Sequence, residues 1–225
     1  MRKRRDFLLA SLAGAATLSA AQAAEAEKRV EANEDLMREH GVLRRALLVY
    51  GACAQRLQQA PASVPPEALA KTAKLFRDFG EDYHERRIEE AFVFPAVKRL
   101  GGAVARYPDI LKQQHDRGRE LTEYVIGATR GERIADAQSL ARALQEFIWM
   151  YENHAAREDT VVFPAWKGAL SAKAYEDMGE RFEDIEKQVF GHDGFDDAVK
   201  RIAAIETELG LADIARFTMP ALPAR

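Results

Sequence analysis

Cys53 is the only cysteine in this chain, so no internal disulfide or thiolate cluster can form, and any bound metal must be held by nitrogen and oxygen. Glycine and proline are also sparse, at 14 and 8 of 225 residues, against 47% hydrophobic and 31% charged side chains. That balance suits soluble amphipathic helices and argues against disorder. No strand-like run competes with the helical spacing. There is no Ser/His/Asp nucleophile arrangement, no phosphate-binding glycine loop and no His-Glu-x-x-His zinc-protease motif, which sets hydrolase and nucleotide functions aside. A basic excess is missing too: the net charge is -3, and most of the early positive charge lies in the first two dozen residues. A mildly acidic protein of this kind is a poor partner for nucleic acid.

What the first residues do contain is an address. Residues 1–23 run from a basic start, Arg2-Lys3-Arg4-Arg5, through an Ala- and Leu-rich stretch to the small-residue site Ala21-Gln22-Ala23, the three-part pattern of a cleaved secretory signal. The apolar stretch is shorter than the roughly 20 residues a membrane span needs, so no stable membrane insertion is expected after cleavage. Lys3-Arg4-Arg5-Asp6-Phe7-Leu8 resembles a twin-arginine signal. That resemblance implies export to the periplasm of a protein already folded around its metal or cofactor.

From Glu25 onward hydrophobic positions recur at helical spacing, as in Leu36, Leu43 and Leu47 around His40. The expected fold is all-α, an up-down-up-down four-helix bundle over residues 24–170 with a C-terminal helical extension over 171–225. The first helix should reach about Ala60, where Pro61 and Val64-Pro65-Pro66 end it. Pro66-Glu67 starts a second, running to about Leu100, and Gly101-Gly102 breaks the chain. A third helix fits 108–128 and a fourth 135–169, and the short connections imply antiparallel neighbours. Two shorter helices, 173–189 and 195–209, are split by Gly191-His192-Asp193-Gly194.

The chain also repeats itself. His84 to Ala96 echoes His154 to Ala165, each copy closing on Phe-Pro-Ala, and each follows a helix with a central histidine, His40 or His115. The unit is a helix pair, used twice. His40, His84, His115 and His154 thus fall one to each helix, near its middle, and converge at one level. One histidine on an apolar stripe is ordinarily a satisfied core residue. Four of the five in the chain, two of them followed by carboxylates in matching contexts, are hard to explain as packing, because a buried carboxylate is costly unless paired or metal-bound. His154 and Glu158, four residues apart, sit about 40° apart around an ideal helix and can address one ion. Aligning the Phe-Pro marks places Glu89 opposite Glu158, yet Glu89 is five residues from His84, about 140° away on an α-helix. A π-bulge would bring the two onto one face. Glu90 stands beside Glu89 as the other candidate for that role.

These motifs resemble the hemerythrin-like, HHE cation-binding family over roughly residues 35–166. The resemblance implies that His40, His84, His115 and His154 are terminal ligands and that Glu89 and Glu158 bridge two iron ions. Oxygen-carrying members use five histidines, whereas four residues after His115 this chain has Arg119, followed by Glu120. In this it is similar to the iron-sulfur-repair members, with four histidines and two glutamates.

Two histidines per ion, two shared carboxylates and one oxo or hydroxo bridge make five bonds at each metal and leave both with an open position, unless Glu120 closes one. Imidazole and carboxylate suit manganese or zinc as well; iron follows from the resemblance. The leading expectation is a binding protein for oxygen or nitric oxide, serving sensing, protection or delivery. The alternatives are a di-iron enzyme such as a peroxidase or ferroxidase, or a metal-free structural bundle. Ferritin-like oxidases use paired Glu-x-x-His motifs, and Glu81-x-x-His84 has no counterpart here. Phe92, Phe94, Trp149, Phe163 and Trp166 are candidates for a dry wall around the metals, with ordinary core the preferred reading for most. Tyr83 and Tyr151 are candidate hydrogen-bond partners of the ligand histidines. Arg119 and Glu120 read as a solvated face, and His192 as a turn residue outside the site.

Overall fold

The computed structural model describes residues 30–222; the proposed signal at 1–23 lies outside them. Four long helices form the core of the fold. The first is α1, Ala32–Gln59. The second is continuous through α2 (Pro66–Leu75), a π-helical stretch (Phe76–Val93) and α3 (Phe94–Arg99). The third is α4, Tyr107–Ala128. The fourth joins α5 (Ala137–Arg157), a π-helical turn (Glu158–Val162) and α6 (Phe163–Gly168).

Their directions follow from which residues meet. On the first and second helices His40 meets His84 and Tyr50 meets Phe76; on the second and third, Glu90 meets His115 and Arg77 meets Glu123. His115 meets His154 while Gly118 faces Phe147, and Asp159 meets His40 while Gln145 meets Gln58. In every pair, moving forward on one helix moves backward on the other, so each neighbour is antiparallel and the bundle closes up-down-up-down. Prolines mark the starts: Pro66 and Pro108 stand in first turns, where a missing N–H removes no helical bond. Gly101 and Gly102 both adopt left-handed backbone, at φ 71° and 66°, and end the second helix.

Pro95 and Pro164 explain the π segments in part. A proline inside an α-helix removes one hydrogen bond and crowds the carbonyl four residues back. Here the ladder widens just before each: Phe94 N–H donates to the Glu89 carbonyl and Phe163 N–H to that of Glu158, both five residues back. Each proline then occupies the opening turn of the α-helix that resumes.

Two further helices, α7 (Ala172–Phe190) and α8 (Gly194–Glu208), cover the first two helices. Ala198, Ile202 and Ile205 bury against the bundle core, while Phe182 stacks on Trp166 at 5.6 Å and Phe190 meets Tyr83 at 5.2 Å. Arg45 pairs with Glu206 and Arg201 with Asp78 at the edges. Gly191, at φ 73°, closes α7 in the left-handed conformation. Among the described residues no helix is long and apolar enough to cross a membrane.

Candidate metal centre

His40 is on α1, His84 and Glu89 on the π stretch, His115 on α4, His154 on α5, and Glu158 opens the π-helical turn. All six are buried, and all six meet in the middle of the bundle. His84 Nε2 lies 3.1 Å from His40 Nε2, and His115 Nε2 lies 3.2 Å from His154 Nε2. The carboxylates stand between these pairs. Glu89 reaches His84 with Oε1 and His115 with Oε2, both at 3.3 Å. Glu158 Oε2 is 2.9 Å from His154 Nε2 and 3.4 Å from His40 Nε2. Each glutamate therefore touches one histidine of either pair. The π geometry brings Glu89 round to the face of His84, the role assigned above to a local bulge. It extends well beyond a single turn, and the second copy has a π turn of its own.

Every outer ring nitrogen is tied to an acceptor on a neighbouring helix. His40 Nδ1–H donates to Asp159 at 2.7 Å, His84 to Glu39 at 2.5 Å, His115 to Glu90 at 3.0 Å and His154 to the Gln114 amide oxygen at 3.0 Å. A carboxylate or an amide oxygen can only accept, so these contacts put a proton on Nδ1 and turn Nε2 inward. The contacts circle the bundle: the first helix serves the second, the second the third, the third the fourth and the fourth the first. Glu90 is thereby placed as the partner of His115, and of these two neighbours it is Glu89 that faces His84.

Four inward lone pairs and two carboxylates would repel one another in a site closed to water unless positive charge lay among them. Apart from the inward imidazole nitrogens, the oxygens of Glu89 and Glu158 have no hydrogen-bond partner among the described residues. The electrostatics show the same demand. Burial pushes the imidazoles toward the neutral form, yet neighbouring carboxylates outweigh it: Glu89 and Glu39 hold His84 well above its usual value, Asp159 and Glu158 raise His40, and Glu85, Glu89 and Glu90 lift His115 to about 10. Burial opposes the charge on Glu89, but His84 and His115 bring it well below the usual carboxylate range. Cations held by imidazole and carboxylate meet this demand and fit the donor set. The ligand atoms group as His40, His84 and Glu89, and as Glu89, His115, His154 and Glu158, each set within 4.8 Å. Glu85, Glu90 and His115 form a third such set, but the Arg119 guanidinium already bonds both of those acids.

Several flanking residues differ from the sequence expectation. Arg119 is nearly buried, 12% exposed, and turned inward to Glu85 and Glu90 at 3.0 and 2.5 Å. Glu120 is 63% exposed and pairs with Arg117, away from the histidines. Trp149 is 73% exposed and forms no wall, because it lies on the outer face of α5. Phe163 and Phe94 do line the site, stacking on His40 at 5.5 Å and His115 at 5.3 Å. Trp166 and Phe92 pack instead against Phe182. Tyr83 lies beside Glu39, which bonds His84, and so acts one step further out than expected. The Tyr151 hydroxyl is buried without a partner among the described residues, its ring 5.4 Å from that of His154. His192 is exposed in its turn and Cys53 is buried in the core.

Apart from Glu90, which the sequence offered as an alternative to Glu89, the outer acceptors and their arginines were missed as site residues, although a signal for them exists. Glu39-His40-x-x-x-Arg44 and Gln114-His115-x-x-x-Arg119 are one pattern repeated. Arg44 binds Asp159 at 2.6 Å as Arg119 binds Glu90, so each arginine clamps the acid that holds the histidine of its own helix.

An uncharacterized protein of Mycobacterium tuberculosis and one of Mycobacterium bovis are each 45% identical to this chain over 197 residues, covering 86% of it and 76% of the relative. No solved structure matches. The family model for the hemerythrin HHE cation binding domain matches residues 31–166, which span all six inward side chains. The chain belongs to the hemerythrin HHE cation-binding domain family.

Proposed function

We propose that this chain holds two iron ions, one between His40 and His84 and the other between His115 and His154, spanned by Glu89 and Glu158. The pair takes up oxygen or nitric oxide, for sensing, protection or delivery in the periplasm. The observation that carries this reading is the complete set of Nδ1 contacts. All four histidines are fixed in the tautomer that aims Nε2 at two carboxylates lacking any other partner. Such outer contacts orient imidazole ligands and raise their basicity. Iron, rather than manganese or zinc, follows the family. Bound there, it would supply reversible change of oxidation state and affinity for small diatomic ligands.

The protein's own part is positioning and exclusion. Phe94 and Phe163 cover two of the imidazoles and keep the site dry. Arg119 is engaged by acids and Glu120 points to solvent, so neither would add to the four histidines and two glutamates that would hold the metal. Export rests on the Arg-rich start of the chain.

The test is to purify the mature protein from iron-replete cells, quantify its metals, and record visible spectra under argon, air and nitric oxide. About two irons per chain, with absorption that changes reversibly with gas, is the expected result. Irreversible oxidation or peroxide turnover would move the assignment to a di-iron enzyme. A folded protein that takes up no metal, even after anaerobic ferrous reconstitution, would leave a structural bundle.

A further inference from the structure

The internal repeat allows the halves of the centre to be compared position by position. Arg44 and Arg119, Asp159 and Glu90, and Phe163 and Phe94 keep equivalent partners. Among the outer acceptors, one pair of positions breaks the symmetry in charge. The residue before His40 is Glu39, a carboxylate accepting from His84 at 2.5 Å; the residue before His115 is Gln114, a neutral amide accepting from His154 at 3.0 Å.

Other ion pairs surround both positions. Glu39 is buried near Asp35 and Glu186, and its ion-pair partner among the described residues is His84; Asp159, beside His40, is balanced by Arg44. Glu39 therefore meets His84 with no cation of its own among the described residues. At the other position Glu90 and Glu85 face Arg119, Lys112 lies 3.6 Å from Glu90, and Asp116 pairs with both cations, so three acids meet two cations. Gln114 adds no charge.

We infer that, given the di-iron reading above, the two metal positions are unequal: Glu39 makes the His40/His84 position the better stabiliser of the ferric state, and Gln114 leaves the His115/His154 position favouring the ferrous state. A carboxylate accepting the Nδ1 proton draws it away from the ring and makes Nε2 a stronger donor, whereas an amide does so weakly. Glu39 and Gln114 are positioning residues, acting through the histidines they hold. The mixed-valent pair is consequently stabilised beyond what repulsion between the two ions alone would give.

The experiment reconstitutes the wild type, Glu39→Gln, Gln114→Glu and the swap Glu39→Gln/Gln114→Glu with ferrous iron, then measures the comproportionation constant of the mixed-valent state by spectroelectrochemistry. Each single variant should lower it about tenfold, because each equalises the two positions. The swap should restore it. Zinc titration of the metal-free proteins gives a second readout: Glu39→Gln weakens the tighter step and Gln114→Glu strengthens the weaker one. Should Glu39→Gln fail to fold, Gln114→Glu alone decides both measurements. Two bound irons with an unmoved constant in the single variants, or a swap that does not recover it, would overturn this inference alone. A wild-type protein that binds no metal pair would overturn the proposed function beneath it.

Discussion

Removing the Tyr151 hydroxyl should stabilise the metal-free protein. Tyr151 is 3% exposed, and its oxygen has no hydrogen-bond partner among the described residues. A buried polar group in that condition costs about 1–3 kcal/mol relative to water. Tyr151→Phe keeps the ring contacts, to Phe147 at 5.5 Å, Phe76 at 5.7 Å and His154 at 5.4 Å. The void left by one oxygen, roughly 10 Å³, returns only about 0.2–0.3 kcal/mol. The net gain is about 1–2 kcal/mol, or a rise in Tm of about 2–8 °C for a chain of this size. The assay is guanidinium unfolding of chelator-treated wild type and variant, with the slope compared so that a changed denatured state is not mistaken for stability. A loss of stability at unchanged slope would refute the reasoning, because it would mean that the hydroxyl is well bonded in solution.

Other perturbations have equally definite outcomes. Burial first, then Glu39 and Glu186, raise Asp35 to about 7; a carboxyl whose folded value exceeds its unfolded one takes stability away as pH rises from about 4 through 7. Asp35→Asn should therefore flatten the stability–pH curve of the metal-free protein in that window and leave it more stable at pH 8, by on the order of 1–2 kcal/mol after allowance for solvent screening; a curve as steep as wild type would exclude this role. Arg119→Met should destabilise by about 2–3 kcal/mol, less than the 3–5 kcal/mol typical of a broken buried pair, because Glu90 keeps His115 and Lys112; an unchanged unfolding midpoint would show that the clamp contributes nothing. Gly191→Ala forces a side chain into a left-handed cap at φ 73° and should cost about 1 kcal/mol, read by the same unfolding curves.

Much of this architecture was legible in the residues. Prolines at 66 and 108, the Gly101-Gly102 break and the spacing of Leu36, Leu43 and Leu47 located the helices, because they act locally through backbone geometry. The five-residue step from His84 to Glu89, set against the four-residue step from His154, announced the wider helix. Its length did not follow from the sequence, since the exchange of α for π bonding upstream of His84 left no residue signature. The ring of outer acceptors was hidden for another reason. Glu39, Glu90, Gln114 and Asp159 each stand next to an inward residue of their own helix but serve a histidine on another. Such a contact depends on the relative register of two helices, which periodicity within one cannot supply. Arg119 read as solvated because its charge was visible and the facing acids Glu85 and Glu90 were not.

The most direct test of the central claim is anomalous diffraction at the iron edge from crystals of the iron-loaded protein. The account predicts two peaks about 3.5–4 Å apart, one against Nε2 of His40 and His84 and one against Nε2 of His115 and His154, with Glu89 and Glu158 reaching both. A single peak, or iron bound on the Nδ1 side with the inner carboxylates empty, would contradict it.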